Sequence, residues 1–119
     1  MENEPQDIRE RSFEFAVRIV KLSQELDQSP GTPRTLANQI LRSGTSIGAN
    51  IEEAHGSQSK ADLTAKMYIA CKEARETLYW LRLLIKSELI SEKKLSSLKD
   101  EANQIVAILT TIVKKSRSQ

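Results

Sequence analysis

Apolar residues recur at helical spacing along nearly the whole chain, and the breaks between them define four segments. The first runs from about Gln6 to Gln28, with Phe15, Ile19, Leu22 and Leu26 on one stripe and Phe13, Val17 and Val20 on another. Ser29-Pro30-Gly31 closes it. Thr32 then serves as a cap residue ahead of Pro33 at the first helical position, where proline's missing N–H costs nothing. This second helix extends to about His55, burying Leu36, Ile40, Gly44, Ile47, Ile51 and Ala54, and Gly56 suits its C-terminal cap. Ser59-x-x-Asp62 has the capping-box form and opens a third helix to about Lys86. Leu63, Met67, Ala70, Ala74, Leu78, Leu81 and Ile85 form its core stripe. Ser91, with Glu92 set against the helix dipole, opens a fourth that ends near Lys115. At 1.5 Å per residue each helix is about 33–40 Å long. Connections this short force neighbours to fold back on one another. The pattern predicts an all-α fold, an antiparallel up-down-up-down four-helix bundle, as one domain over residues 1–119.

More apolar surface is present than one such bundle hides. The two stripes of the first helix, with Ala16 and Ser23 between them, cover roughly 220° of the wheel where a core needs about 100°. Trp80, Leu83 and Leu84 make the end of the third helix apolar nearly all round, and Ile105, Val106, Ile108, Leu109, Ile112 and Val113 spread over a broad arc of the fourth. An apolar surplus of this kind marks a partner surface, and the expectation is that copies of the chain cover one another.

Composition narrows the chemistry. With 39% hydrophobic and 29% charged residues, the chain reads as a soluble helical domain, and its 4 glycines and 3 prolines are few for a sandwich or barrel. A single cysteine excludes an intrachain disulfide, and a single histidine removes most metal and nucleophile–base constellations. Glu52-x-x-His55 has the spacing of a di-iron bundle ligand pair, but such sites need two of these motifs. Cys71, placed by the wheel near the outer side of a polar stripe, is expected to be an unreactive thiol. No catalytic residue, metal or cofactor is expected. No run is long and apolar enough to span a bilayer, and Met1-Glu2-Asn3-Glu4 lacks the basic start of a signal peptide, so the expected location is the cytoplasm.

Two stripes remain. On the second helix Gln39, Ser43, Ser46, Asn50 and Glu53 follow a 4-3-4-3 spacing beside the core. Gly44 and Gly48 lie in the same helix, each costing ~1 kcal/mol relative to alanine unless close packing offsets it. If Glu73 and Glu76 of the third helix face that stripe, then Asn50, Glu53, Glu73 and Glu76 are partly buried and need donors, for which Arg42, Ser43 and Ser46 are at hand. The expected role is a hydrogen-bonded network that fixes register or a subunit contact. The other stripe is basic: Tyr68, Lys72, Arg75, Tyr79, Arg82 and Lys86 share one face of the third helix. Cations neutralise phosphates and tyrosine rings stack on unpaired bases, so this face is the candidate nucleic-acid surface. Net charge is only +2, yet residues 28–86 carry eight basic and five acidic side chains while residues 1–27 carry four and seven. Lys114, Lys115 and Arg117 form a second cluster, expected to be a frayed, solubilising end.

The stretch from Gln39 to Glu53, QILRSGTSIGANIEE, resembles the signature of the bacterial four-helix-bundle proteins encoded in intervening sequences of 23S ribosomal RNA genes, a group that includes the accessory variability protein of diversity-generating retroelements. IACKEARETLYWL, from Ile69 to Leu81, resembles the second signature of that family. Glu53 and Glu76 match the family's carboxylates. The chain departs from it at Glu52-Glu53-Ala54, where Ala-Glu-Gly is common, and at Lys72-Glu73, where Gly-Ser is common. The resemblance implies an up-and-down bundle assembled into a barrel-like homopentamer. For the retroelement branch it implies binding to nucleic acid and to a reverse transcriptase. A five-fold ring would multiply the basic stripe into a substantial positive surface. The expected function is that of a non-enzymatic homo-oligomeric scaffold or adaptor binding RNA or DNA; the alternative is a protein-interaction module without nucleic-acid binding.

Overall fold

The structure, a computed structural model, describes residues 7–118. Four helices account for most of them: α1 Ile8–Leu26, α2 Thr32–His55, α3 Lys60–Lys86 and α4 Glu92–Arg117. Gln6, the expected start of α1, lies outside the described residues. The Asp7 carboxylate caps α1 by accepting the Arg9 N–H at 2.9 Å. Ser59 and Ser91 cap α3 and α4 by accepting the N–H groups of Asp62 and Lys94.

Two boundaries differ from the sequence expectation. Gly31, at φ +88°, takes the N-cap of α2 and makes Thr32 the first helical residue. The turn after Pro30 requires a left-handed backbone, which glycine alone adopts without cost, so the cap falls one residue earlier. The fourth helix also runs past Lys115 to Arg117. At the other end of α3, Glu88 stands at φ +64°. Its N–H bonds to Ile85 O and that of Leu89 to Leu84 O, closing a Schellman turn at a position usually held by glycine.

The molecule is a rod of 46 × 28 × 21 Å. α1 packs on α2 and α4, and α3 packs on the same two, while neither diagonal pair is in contact among the described residues. Phe15, Ile19, Ile40, Ile47, Ile51, Leu81, Leu84, Ile105 and Leu109 are fully buried at the centre. Leu84, expected among the surplus at the end of α3, is therefore core. Leu63, expected inside, is exposed near the start of that helix.

Each seam pairs rising numbers with falling ones. Arg34 bonds Asp27 while Arg9 bonds Glu52 at 2.8 Å between α1 and α2. Arg42 meets Glu76 while Glu53 meets Lys66 between α2 and α3. Thr64 meets Ser116 and Cys71 meets Thr110 between α3 and α4. Between α1 and α4, Lys94 pairs with Glu25 and Arg11 makes a two-pronged bond to Glu101. That hydrogen bond raises the Arg11 pKa above the ordinary arginine value, with partial burial opposing it and the carboxylate charge adding to it.

The two interior glycines of α2 let α1 approach. A Cβ on Gly44 would stand 2.8 Å from Ile19 Cγ2, and one on Gly48 would stand 3.3 Å from Ser12 Oγ. Outside this tight seam Phe13 is 68% exposed, Val17 40%, Val20 38% and Leu41 36%. The second apolar stripe of α1 thus stays in solvent. Among the described residues no helix is long and apolar enough to cross a membrane.

Candidate nucleic-acid interface

The α3 helix separates its charges onto two sides. Glu73 and Glu76 face α2, where Lys66 also pairs with Glu53, while Lys72, Arg75, Arg82 and Lys86 border α4. On the α2 side the Arg42 guanidinium reaches both Glu73, at 3.3 Å, and Glu76. Trp80 Nε1 donates to the same Glu76 at 3.0 Å. Beneath them, fully buried, Thr77 donates to Ser43 Oγ at 2.8 Å, and its hydroxyl is equally close to the Glu73 carbonyl.

This cluster differs in membership from the predicted network. Glu53 is exposed rather than partly buried, and its partner is Lys66, whose pKa the bond raises above the ordinary lysine value, with the carboxylate charge adding. Ser46 donates to the Arg42 carbonyl and Asn50 to the Ser46 carbonyl, so both serve their own helix. Gln39 is exposed. Thr77 and Lys66 are the members that helical spacing did not single out. Thr77 lies between the core and polar stripes, where a wheel assigns neither role.

On the α4 side, all six residues of the basic stripe are exposed. The structure divides them into two groups. Tyr68, Lys72 and Arg75 line a cavity of about 260 Å³ together with Cys71 and with Thr110, Val113, Lys114 and Arg117 of α4. Arg82 and Lys86 line a second depression with Ile85 and Lys99. Tyr79 stands between the groups, edge-on to Trp80 with ring centroids 5.2 Å apart. No carboxylate lines either cavity among the described residues. The ion pairs of Arg9, Arg11, Arg34, Arg42, Lys66 and Lys94 belong to the other three seams.

Three residues change role here. Arg117 is helical and its guanidinium carbon lies 4.8 Å from the Tyr68 ring centroid, on the face of a ring that Lys72 also approaches at 5.5 Å. With Lys114 it belongs to the α3/α4 surface and not to a frayed end; Lys115 points to a different depression, beside Lys60 and Ser57. Cys71 is buried against α4, its sulfur 3.5 Å from Thr110 Oγ1, instead of lying on the outer side of the polar stripe. Lys99 was missed because α4 shows no run of basic residues around it.

The remaining metal candidate does not assemble. Glu52 pairs with Arg9, His55 Nδ1 lies 3.1 Å from the Ile51 carbonyl, and no three His, Cys, Asp or Glu side chains converge among the described residues.

A family model for the 23S rRNA-intervening sequence proteins matches residues 4–111, covering both signatures, the first three helices and most of α4. The chain belongs to that family. A solved structure of a protein with unknown function from the S23 ribosomal protein family of Bacteroides thetaiotaomicron VPI-5482 is 46% identical to it, with a TM-score of 0.84. The match covers 91% of this chain and 99% of that one. No curated protein was found to match. The 23S rRNA-intervening sequence assignment agrees with the four-helix architecture and carries no reaction with it.

Proposed function

We propose that this protein is a non-enzymatic homo-oligomeric scaffold that binds nucleic acid along the α3/α4 seam, with antiparallel up-down-up-down helices and copies joined as a ring, a homopentamer. The carrying observation is the unneutralised charge on that seam. Lys72, Arg75, Arg82 and Lys86 of α3 stand with Lys99, Lys114 and Arg117 of α4, and among the described residues no carboxylate lines the two cavities they form. Each of the other three seams carries ion pairs. A row of unpaired cations is costly in self-repulsion and suits a polyanion that releases counterions when bound. The opposed numbering of every cross-helix pair supports the antiparallel arrangement. The exposed Phe13, Val17 and Val20 stripe supports the assembly, because it offers a second copy an apolar surface.

Fluorescence anisotropy against single-stranded RNA and DNA at several salt concentrations tests the binding. The expected affinity falls linearly with salt on logarithmic axes, with a slope of about −0.7 per phosphate neutralised. Arg75→Glu with Arg82→Glu should remove most of it. Absence of binding to either polymer at low salt by the assembled protein refutes this reading. Salt-insensitive capture of a purified protein through the Phe13 stripe would favour an interaction module instead, as would any partner retained after nuclease treatment.

A further inference from the structure

We propose that the cavity between the ends of α3 and α4 nearest Tyr68 binds a phosphate monoester dianion, such as the terminal 5′-phosphate of a nucleic acid; this rests on the nucleic-acid reading of the seam and adds a preference for ends to it. Three features suit this cavity to such a group, and the first and third set it apart from the Arg82, Lys86 and Lys99 depression. Its floor is apolar and buried, formed by Cys71 and Val113. Charges above such a floor are screened less than charges on an open helix face. Its rim carries Lys72, Arg75, Lys114 and Arg117 with no carboxylate among the described residues. A backbone phosphodiester brings one negative charge, whereas a monoester brings about −1.5 to −2 at neutral pH and matches this rim better.

The third feature is preorganisation. The Arg117 guanidinium lies over the Tyr68 ring, which fixes its plane and leaves its N–H edge free to bond two phosphate oxygens together. The Thr110 hydroxyl is at the same cavity and supplies a neutral donor. Size points the same way. About 260 Å³ is below the roughly 300–1,000 Å³ that takes drug-sized ligands. The space suits a phosphate and part of its sugar and not a stacked run of nucleotides. Among the described residues the Arg82, Lys86 and Lys99 depression is lined by neither a ring nor a hydroxyl, so it contributes general attraction to the backbone.

The test compares one oligonucleotide bearing a 5′-phosphate with the same sequence bearing a 5′-hydroxyl, by anisotropy on the full chain. Two added charge-assisted bonds should tighten the phosphorylated form about tenfold or more. Thr110→Val should shrink that preference while leaving the hydroxyl form near the parent affinity, and Arg117→Gln should shrink it while also weakening the hydroxyl form by its share of the backbone attraction. Arg82→Gln with Lys86→Gln should weaken both forms alike and keep the ratio. A nucleoside 5′-monophosphate and inorganic phosphate serve as competitors. Direct binding of the mononucleotide, read by calorimetry, with no binding of either oligonucleotide assigns the cavity to free nucleotides and refutes only the polymer reading. Equal affinity for the two oligonucleotides overturns the end preference and leaves the polymer reading intact. Binding of none of these probes overturns both.

Discussion

At the residue scale the tightest constraint is a missing side chain. Gly44 sits where α1 and α2 touch, and a methyl group there would meet Ile19, which has no exposed surface to retreat into. Overpacking of this kind costs about 1–3 kcal/mol, against ~1 kcal/mol of helix propensity gained by alanine. Gly44→Ala should therefore lower stability by about 1 kcal/mol net in urea denaturation. Gly48 makes an instructive contrast. Its added methyl would approach Ser12 at 3.3 Å, a contact that small adjustment relieves, so the propensity gain roughly cancels the crowding. Gly48→Ala should fall within about 0.5 kcal/mol of the parent. Equal losses for the two substitutions would mean that the helix–helix distance is not what these glycines set. Their role was legible in the sequence, since glycine inside a long amphipathic helix has few reasons beyond close approach. The partner atoms were not, because spacing along one helix says nothing about the register of its neighbour.

At the level of elements, the α2/α3 seam is held by a buried polar pair beneath an exposed ionic one. Arg42 is half in solvent, so its bonds to Glu73 and Glu76 add at most about 1 kcal/mol. Ser43 and Thr77 are fully buried, and Ser43 depends on Thr77 for its better hydrogen bond, whereas Thr77 also has the Glu73 carbonyl at 2.8 Å. Thr77→Val leaves the Ser43 hydroxyl with only a 3.5 Å contact to the Ile40 carbonyl and should cost about 1–2 kcal/mol. Ser43→Ala should cost less alone, because Thr77 keeps its bond to the Glu73 carbonyl. The double variant should cost less than the two losses together, by about 0.5–1 kcal/mol, when all three are measured by denaturation. Strict additivity would show that the hydroxyls are independently satisfied. Helix existence and the core stripes of α1 and α2 were readable from period alone, as were the serine caps of α3 and α4. In α4 period gave a broad apolar arc of which Ile105, Leu109 and Val113 are the buried members. Thr77, Leu84 and Cys71 were not readable in this way: each lies at the border of a stripe, and which neighbour covers a border is decided by packing between helices. Arg117 belongs to the same class, because its role depends on a ring of a different helix.

For the whole molecule, the four seams divide the work. One is stitched by Arg11, Glu101 and Lys94, one by Arg42 and the buried hydroxyls, one is packed tight by glycines, and one carries unpaired positive charge. The tight seam is also the one with an apolar exterior. In the register set by Gly44 against Ile19 and Gly48 against Ser12, Val20 lies level with Leu41 and Phe13 with Ala49, so apolar positions from two helices form one strip along the outside of the rod. A phenyl ring 68% exposed contributes nothing to the fold of a single copy, and its cost in water is recovered only when something covers it. Phe13→Glu should therefore leave the helical content and unfolding midpoint of the single chain nearly unchanged while reducing the solution mass from an assembly to one 13.4 kDa copy. Sedimentation at micromolar concentration reads the mass directly. If the proposed ring forms, nucleic-acid affinity should fall with it even though no basic residue is touched, because such a ring would present several seams to one polymer and a single copy presents one. A parent protein that sediments as a single copy would remove the assembly. A Phe13→Glu variant that keeps its mass would move the contact to another face. A single-copy variant with undiminished affinity would show that one seam suffices for binding, and the basic face would then be a site in its own right.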